Sequence, residues 1–153
     1  MAKASIKGLD EFMATLSQLE GDVHRAATKA VYDAAGLAVD VYAQEVKSLP
    51  VDQRYGTSSK QKTGPTELEK KGLIDSLGIA SFVNENGNIN TSVGFDGYNE
   101  AGKANQLIAR SVNSGTSFMK KNPFADRANR KIRRLAKAKM AETFEREINK
   151  NIK

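Results

Sequence analysis

The residue pattern points to an α+β domain in which an antiparallel sheet with a central hairpin packs against a long alanine-rich helix, with further helices N-terminal and C-terminal to them. Three observations carry this. Apolar residues recur at helical spacing over 8–20, 23–48 and 123–149, the period switches towards two near residue 77, and an Asn86-Gly87 dipeptide separates two alternating runs.

The elements follow in order. Leu9, Phe12, Met13, Leu16 and Leu19 predict an amphipathic helix near 8–20, which Gly21 ends. Asp22 can cap a second helix through its carboxylate, running from Val23 to about Ser48 and stopping before Pro50. Val23, Ala27, Ala30, Ala34, Leu37 and Val41 form one stripe of that helix, with Val31, Ala35, Ala38 and Tyr42 beside it. Small alanines let another backbone come close, and at ~1.5 Å per residue the helix would be roughly 39 Å long, the spine of the fold.

Residues 50–72 are nearly all polar, with Pro50, Gly56, Gly64, Pro65 and Gly72, and predict a long exposed loop. It is either an arm that orders against a neighbouring subunit or a plain flexible insertion. Leu77, Ile79 and Ser81 then alternate with their neighbours up to Val83, and Ile89, Thr91, Val93 and Phe95 make the returning strand. Asn86-Gly87 suits the turn because both residues tolerate positive φ. A short helix is expected over Ala101–Val112, and a brief edge strand at Ser117-Phe118-Met119. Asn122 as cap and Pro123 in the first turn open a last helix to about Asn149, with Ala128, Ile132, Leu135, Ala136, Met140, Phe144 and Ile148 as its buried stripe. No repeat or shift in composition divides the chain, so residues 1–153 read as one domain.

The chain has 153 residues and no cysteine, which excludes disulfide frameworks, thiol catalysis and Cys-based zinc sites. No run reaches the ~18 apolar residues of a membrane span, and Met1-Ala2-Lys3-Ala4-Ser5 is not followed by an apolar segment, so neither a membrane partner nor a secretory signal is expected. The net charge of +6 is unevenly placed. From Met119 onward twelve basic residues face four acidic ones, a net +8, so the preceding body carries −2. A basic end on a nearly neutral body suits an acidic protein or a nucleic acid.

Catalytic candidates are few. His24 is the sole histidine and has no positioned partner for a metal shell or a relay. Asp10/Glu11 and Glu142/Glu145 read as solvated ion pairs among lysines, and Gly94 and Gly97 lack the companions of a phosphate-binding loop. No cofactor is implied. Arg127, Arg130, Lys131, Arg134 and Lys137 share one side of the last helix. They form either a solvated face or a contact for DNA phosphates or an acidic ring partner. No aromatics interleave with them, which leaves single-strand stacking unsupported.

Several motifs occur in a characteristic order: Gly8-Leu9 before the first helix, the alanine-rich helix, and Gly72-Leu73-Ile74-Asp75-Ser76-Leu77 leading into the hairpin. Val93-Gly94-Phe95, the Ser114-Gly115-Thr116 turn and the Asn122-Pro123-Phe124 helix start follow. Together they resemble the neck and tail-component family of long-tailed bacteriophages, across nearly the whole chain. The resemblance implies a structural virion protein, not an enzyme, at the head-proximal end of the tail, assembled in the bacterial host cytoplasm. It would complete the tail or join it to the head connector as a ring, a hexamer, against the tail terminator or tail tube protein and the head–tail connector, with genomic DNA in the lumen as a further contact. Gly115 and Thr116 would shape the turn, and Pro123 and Phe124 would seat the last helix. The alternative is a DNA-binding protein acting through the basic C-terminal helix.

Overall fold

The computed structural model describes residues 9–81, 83–85 and 88–152, and side chains over 20–81 and 89–150. Its elements run α1 (Leu9–Lys47), α2 (Glu67–Ser76), β1 (Leu77–Ile79), β2 (Val83–Glu85), β3 (Asn88–Asn90), β4 (Val93–Phe95), α3 (Asn105–Ser114) and α4 (Phe124–Ile152). The fold is α+β, with the strands and the long α4 both packed on the alanine-rich α1.

α1 and α4 run antiparallel. Tyr42 meets Asn129 near one end, and Asp33 meets Thr143 and Arg146 further along. Alanines make the close approach possible: Ala26, Ala30, Ala34, Ala35 and Ala38 are all buried. The main core lies where α1 ends and α4 begins, around Val46, Leu49, Leu73, Phe95, Ile108, Val112 and Phe124. Phe95 stands edge-on to both Tyr42 and Phe124, with ring centroids 6.1 Å apart in each pair. Such aromatic pairs add about 0.5–1.5 kcal/mol beyond the area they bury.

The strands pair antiparallel in two two-stranded sheets, β1 with β4 and β2 with β3. Leu77↔Phe95 and Ile79↔Val93 set the register of the base, and Val83↔Asn90 and Glu85↔Asn88 that of the tip. Between Ile79 and Val83 the first strand has one residue more than the second has between Asn90 and Val93. Ala80 N still donates to Ser92 O at 2.8 Å, and the Thr91 hydroxyl donates to Ala80 O at 2.6 Å. The Asn86-Gly87 turn lies outside the described residues, as do the side chains of the 9–19 stripe.

Several expectations are corrected. α1 is one helix, and Gly21 and Asp22 lie inside it rather than ending one helix and capping another. An exposed glycine weakens a helix by only about 1 kcal/mol, less than the flanking turns hold, and Asp22 instead pairs with Arg25 one turn on. The polar segment is not loop to residue 72. Thr66-Glu67-Leu68-Glu69 forms a capping box, with Thr66 Oγ1 accepting from Glu69 N at 3.2 Å and Glu69 Oε2 from Thr66 N at 3.0 Å, and α2 begins there. The remaining 50–66 stretch is tied down by Asp52, which accepts from the Arg54 guanidinium and from Thr63 N.

Ser117–Met119 is no strand. It contributes a single parallel bridge, Met119 with Lys62. The helix expected from Ala101 begins at Asn105, because Asn99, Ala101 and Lys103 form a side-chain-closed turn. On α4, Leu135 is exposed, and Thr143 is buried in the seam with α1. With only two helices along this shaft, the buried stripe is narrower than the apolar pattern suggests.

Candidate functional site

The Gly115-Thr116 turn joins α3 to the approach of α4. Gly115 ends α3 with φ +77°, and its amide donates to Ser111 O at 2.8 Å. A side chain there would be both strained and crowded, since a Cβ would lie 3.0 Å from the Lys121 backbone. Thr116 Oγ1 accepts from Phe118 N and Met119 N, each at 3.1 Å. The 50–66 stretch clasps the same turn: Gln61 Nε2 donates to Thr116 O at 3.0 Å, and Lys62 exchanges backbone bonds of 2.9 Å with Phe118 and Lys120.

Pro123 immediately precedes α4, and Phe124, its first residue, is completely buried in the core. The cap is not Asn122, whose Oδ1 accepts from Arg127 at 2.7 Å. Asn113 on α3 supplies it instead, its Oδ1 accepting from Ala125 N at 3.1 Å and from Asp126 N at 3.2 Å. One helix thus satisfies the orphan amides of the next.

The expected basic face of α4 divides in two. Arg127 and Lys131 turn towards α1 and bind the buried Glu45, at 3.1 Å and 2.7 Å. Burial raises the Glu45 pKa, but the Lys131 and Arg127 hydrogen bonds and charges outweigh it, so the carboxyl sits below its ordinary value. Arg130, Arg134 and Lys137 stay exposed, and Arg133, which the helical-spacing pattern omits, stands exposed beside them. Arg130 Nε reaches only the Asp126 carbonyl, at 3.4 Å, and none of these four is in an ion pair among the described residues. Position along the helix predicts which cations share a side, but not that Glu45 neutralises two of them.

An apolar groove of about 510 Å³ opens on the α3 side, lined by Tyr98, Leu107, Ile108 and Met119 with Glu69 and Lys103 at its polar edge. Tyr98 is 75% and Leu107 63% exposed. No helix among the described residues is long and apolar enough to cross a membrane. His24 is exposed on α1.

In comparisons with known proteins, the chain matches no family model, no curated protein and no solved structure.

Proposed function

We propose that this protein is a structural component of a bacteriophage neck, completing the tail or joining it to the head connector as a self-assembled ring. The motif order supports the reading. So does the use the fold makes of those motifs: Gly115, Thr116 and Phe124 hold the junction of α3, α4 and the 50–66 stretch. The observation that carries the assembly part is the groove flanked by exposed Tyr98 and Leu107. Large apolar side chains grouped on a surface mark contact with another macromolecule. Ring members would be bound to the tail terminator or tail tube protein on one side and the head–tail connector on the other, and the protein has no enzymatic role. Electron microscopy of virions carrying a tagged copy should place the tag at the head–tail junction. Particles that lack the polypeptide, with tails that mature without it, would reject the proposal.

A second reading has its own support. The exposed α4 cations Arg130, Arg133, Arg134 and Lys137, which belong to no ion pair among the described residues, could track a duplex backbone, as free DNA-binding proteins do. That reading requires tight duplex binding by the monomer that weakens steeply with salt. Rings without DNA affinity would exclude it.

A further inference from the structure

Between α2 and α3 lies a pocket of about 270 Å³ whose wall includes Asp75, Asp96, Glu100 and two asparagines. The asparagines are deeply buried, Asn105 at 3% and Asn99 at 9% exposure. Their orientations are set by other bonds. Asn99 Oδ1 accepts from Ala101 N and Lys103 N, each at 3.0 Å, and Asn105 Nδ2 donates to Asp96 O at 3.0 Å. Asn99 Nδ2 and Asn105 Oδ1 are left buried without a partner. Gly72 makes room for them, since a Cβ there would come within 2.7 Å of Asn105 Oδ1 and 2.9 Å of Asn99 Cβ. Buried polar atoms left unpaired are unfavourable, and these two are the buried side-chain atoms without a partner among the described residues, so the pocket lacks a polar ligand.

The charged groups of the wall are three carboxylates, Asp75, Asp96 and Glu100, against one cation, Lys71, so its net charge is negative. Asp75 and Asp96 belong to no ion pair among the described residues, and Glu100 meets only Lys71, at 3.3 Å and in the open. No three of the described acids group closely enough to hold a metal ion, so their spacing suits spread donors rather than a point charge. The same chain carries the complementary charge on α4, in Arg130, Arg133, Arg134 and Lys137, yet those cations do not reach the pocket within one molecule.

We propose that the α2–α3 pocket of one copy receives a guanidinium from the α4 stripe of a second copy, which donates to Asn105 Oδ1 and to the carboxylates of Asp75 and Asp96. A planar fork of N–H groups matches several separated acceptors at once. Asn99 Nδ2 needs an acceptor beside that cation, which a protein segment carries and a bare cation does not. Pocket and stripe are different surfaces, so the contact is heterologous and propagates head to tail, closing into a ring where the rotation allows. This proposal rests on the ring-forming reading above and names the surfaces that would make the ring.

The test is sedimentation velocity at several salt concentrations on four samples: wild type, Arg133→Glu/Arg134→Glu, Asp75→Lys/Asp96→Lys, and an equal mixture of the two variants. Circular dichroism checks the fold of each. Wild type should self-associate, at least tenfold more weakly in high salt than in low salt. Each variant alone should sediment as a monomer. The mixture should associate again, because each variant's α4 now complements the other's pocket. If either reversal perturbs the fold, Asp75→Asn and Arg134→Gln take its place, with association expected to weaken about tenfold. Reversals that leave association intact overturn the proposed contact and leave the ring reading standing. A wild-type chain that stays monomeric in low salt at every concentration overturns both. An Arg133→Glu/Arg134→Glu protein that still associates but has lost duplex DNA binding overturns the contact and assigns the stripe to nucleic acid.

Discussion

Asn113 Oδ1 accepts the Ala125 amide at 3.1 Å, so the last turn of α3 caps the first turn of α4 across the Gly115-Thr116 turn. The same oxygen also takes the Asp126 amide at 3.2 Å. Loss of a cap of this kind destabilises by about 0.5–2 kcal/mol. Asn113→Ala should lower the urea midpoint accordingly, while Asn113→Asp, which keeps an acceptor near the positive helix end but sets a second carboxylate against Asp126, should lose about half as much. Equal loss in both variants would show that the amide's other contacts matter more than the cap.

Glu45 joins α1 to α4 through two cations, and its side chain is far more buried than theirs. Removing the carboxylate strands Arg127 and Lys131 against α1, but both reach solvent, which limits the cost to about 1–3 kcal/mol for Glu45→Ala. Lys131→Met should cost less, because Arg127 still neutralises the carboxylate. A double-mutant cycle between Glu45 and Lys131 measures the coupling, and a coupling of zero would mean that the pair contributes nothing.

Acid should weaken the fold. Burial raises the Asp33 pKa, but the Thr143 hydroxyl and the charges of Lys29, Arg146 and Lys139 bring it below the ordinary carboxylate value. Glu69, desolvated but held by Thr66 N and Lys103, is lowered likewise, and Asp52 is lowered strongly by Arg54 and by backbone amides. A carboxyl whose folded pKa lies below its unfolded pKa of about 4 stabilises fully above that value. The contribution is then lost as pH falls through the folded pKa. Urea midpoints should therefore be flat from about pH 7 to 5 and fall below about pH 4. Glu45→Gln, which removes one such group, should make that fall shallower.

The continuity of α1 can be tested at Gly21. The position is exposed, and a Cβ there would meet nothing within 4 Å. In a continuous helix Gly21→Ala should raise stability by about 0.5–1 kcal/mol. A destabilised variant would mean that the glycine ends a helix in a left-handed conformation.

Gly115 predicts the opposite sign. Its φ of +77° and the 3.0 Å approach of Lys121 make any side chain unfavourable. Gly115→Ala should destabilise by about 1–3 kcal/mol, read from thermal unfolding. A neutral result would place the strain elsewhere in the turn.

Local structure is legible in the sequence where one segment decides it. The alternation around Leu77–Ile79 and Val93–Phe95, the alanine face of α1 and the turn at Gly115 all depend on neighbours in the chain. The Thr66-x-x-Glu69 capping signature marks the start of α2, but the surrounding lysines and glycines outweigh it in a reading by composition, which gives loop to residue 72. Gly21 misled for the converse reason: a residue that often ends helices was outweighed by the helical turns on both sides.

Residues 77–95 dictate their own hairpin, and α1 its own apolar face, because hydrogen-bond period and side-chain size act within a few residues. The partners of side chains depend on where distant segments arrive. That Asn113 caps α4, that Glu45 withdraws Arg127 and Lys131 from the basic face, and that Asn99 and Asn105 are left unpaired beside Gly72 follow only once α1, α3 and α4 are packed together. Burial and charge pairing are properties of three-dimensional neighbours, and linear spacing does not encode them.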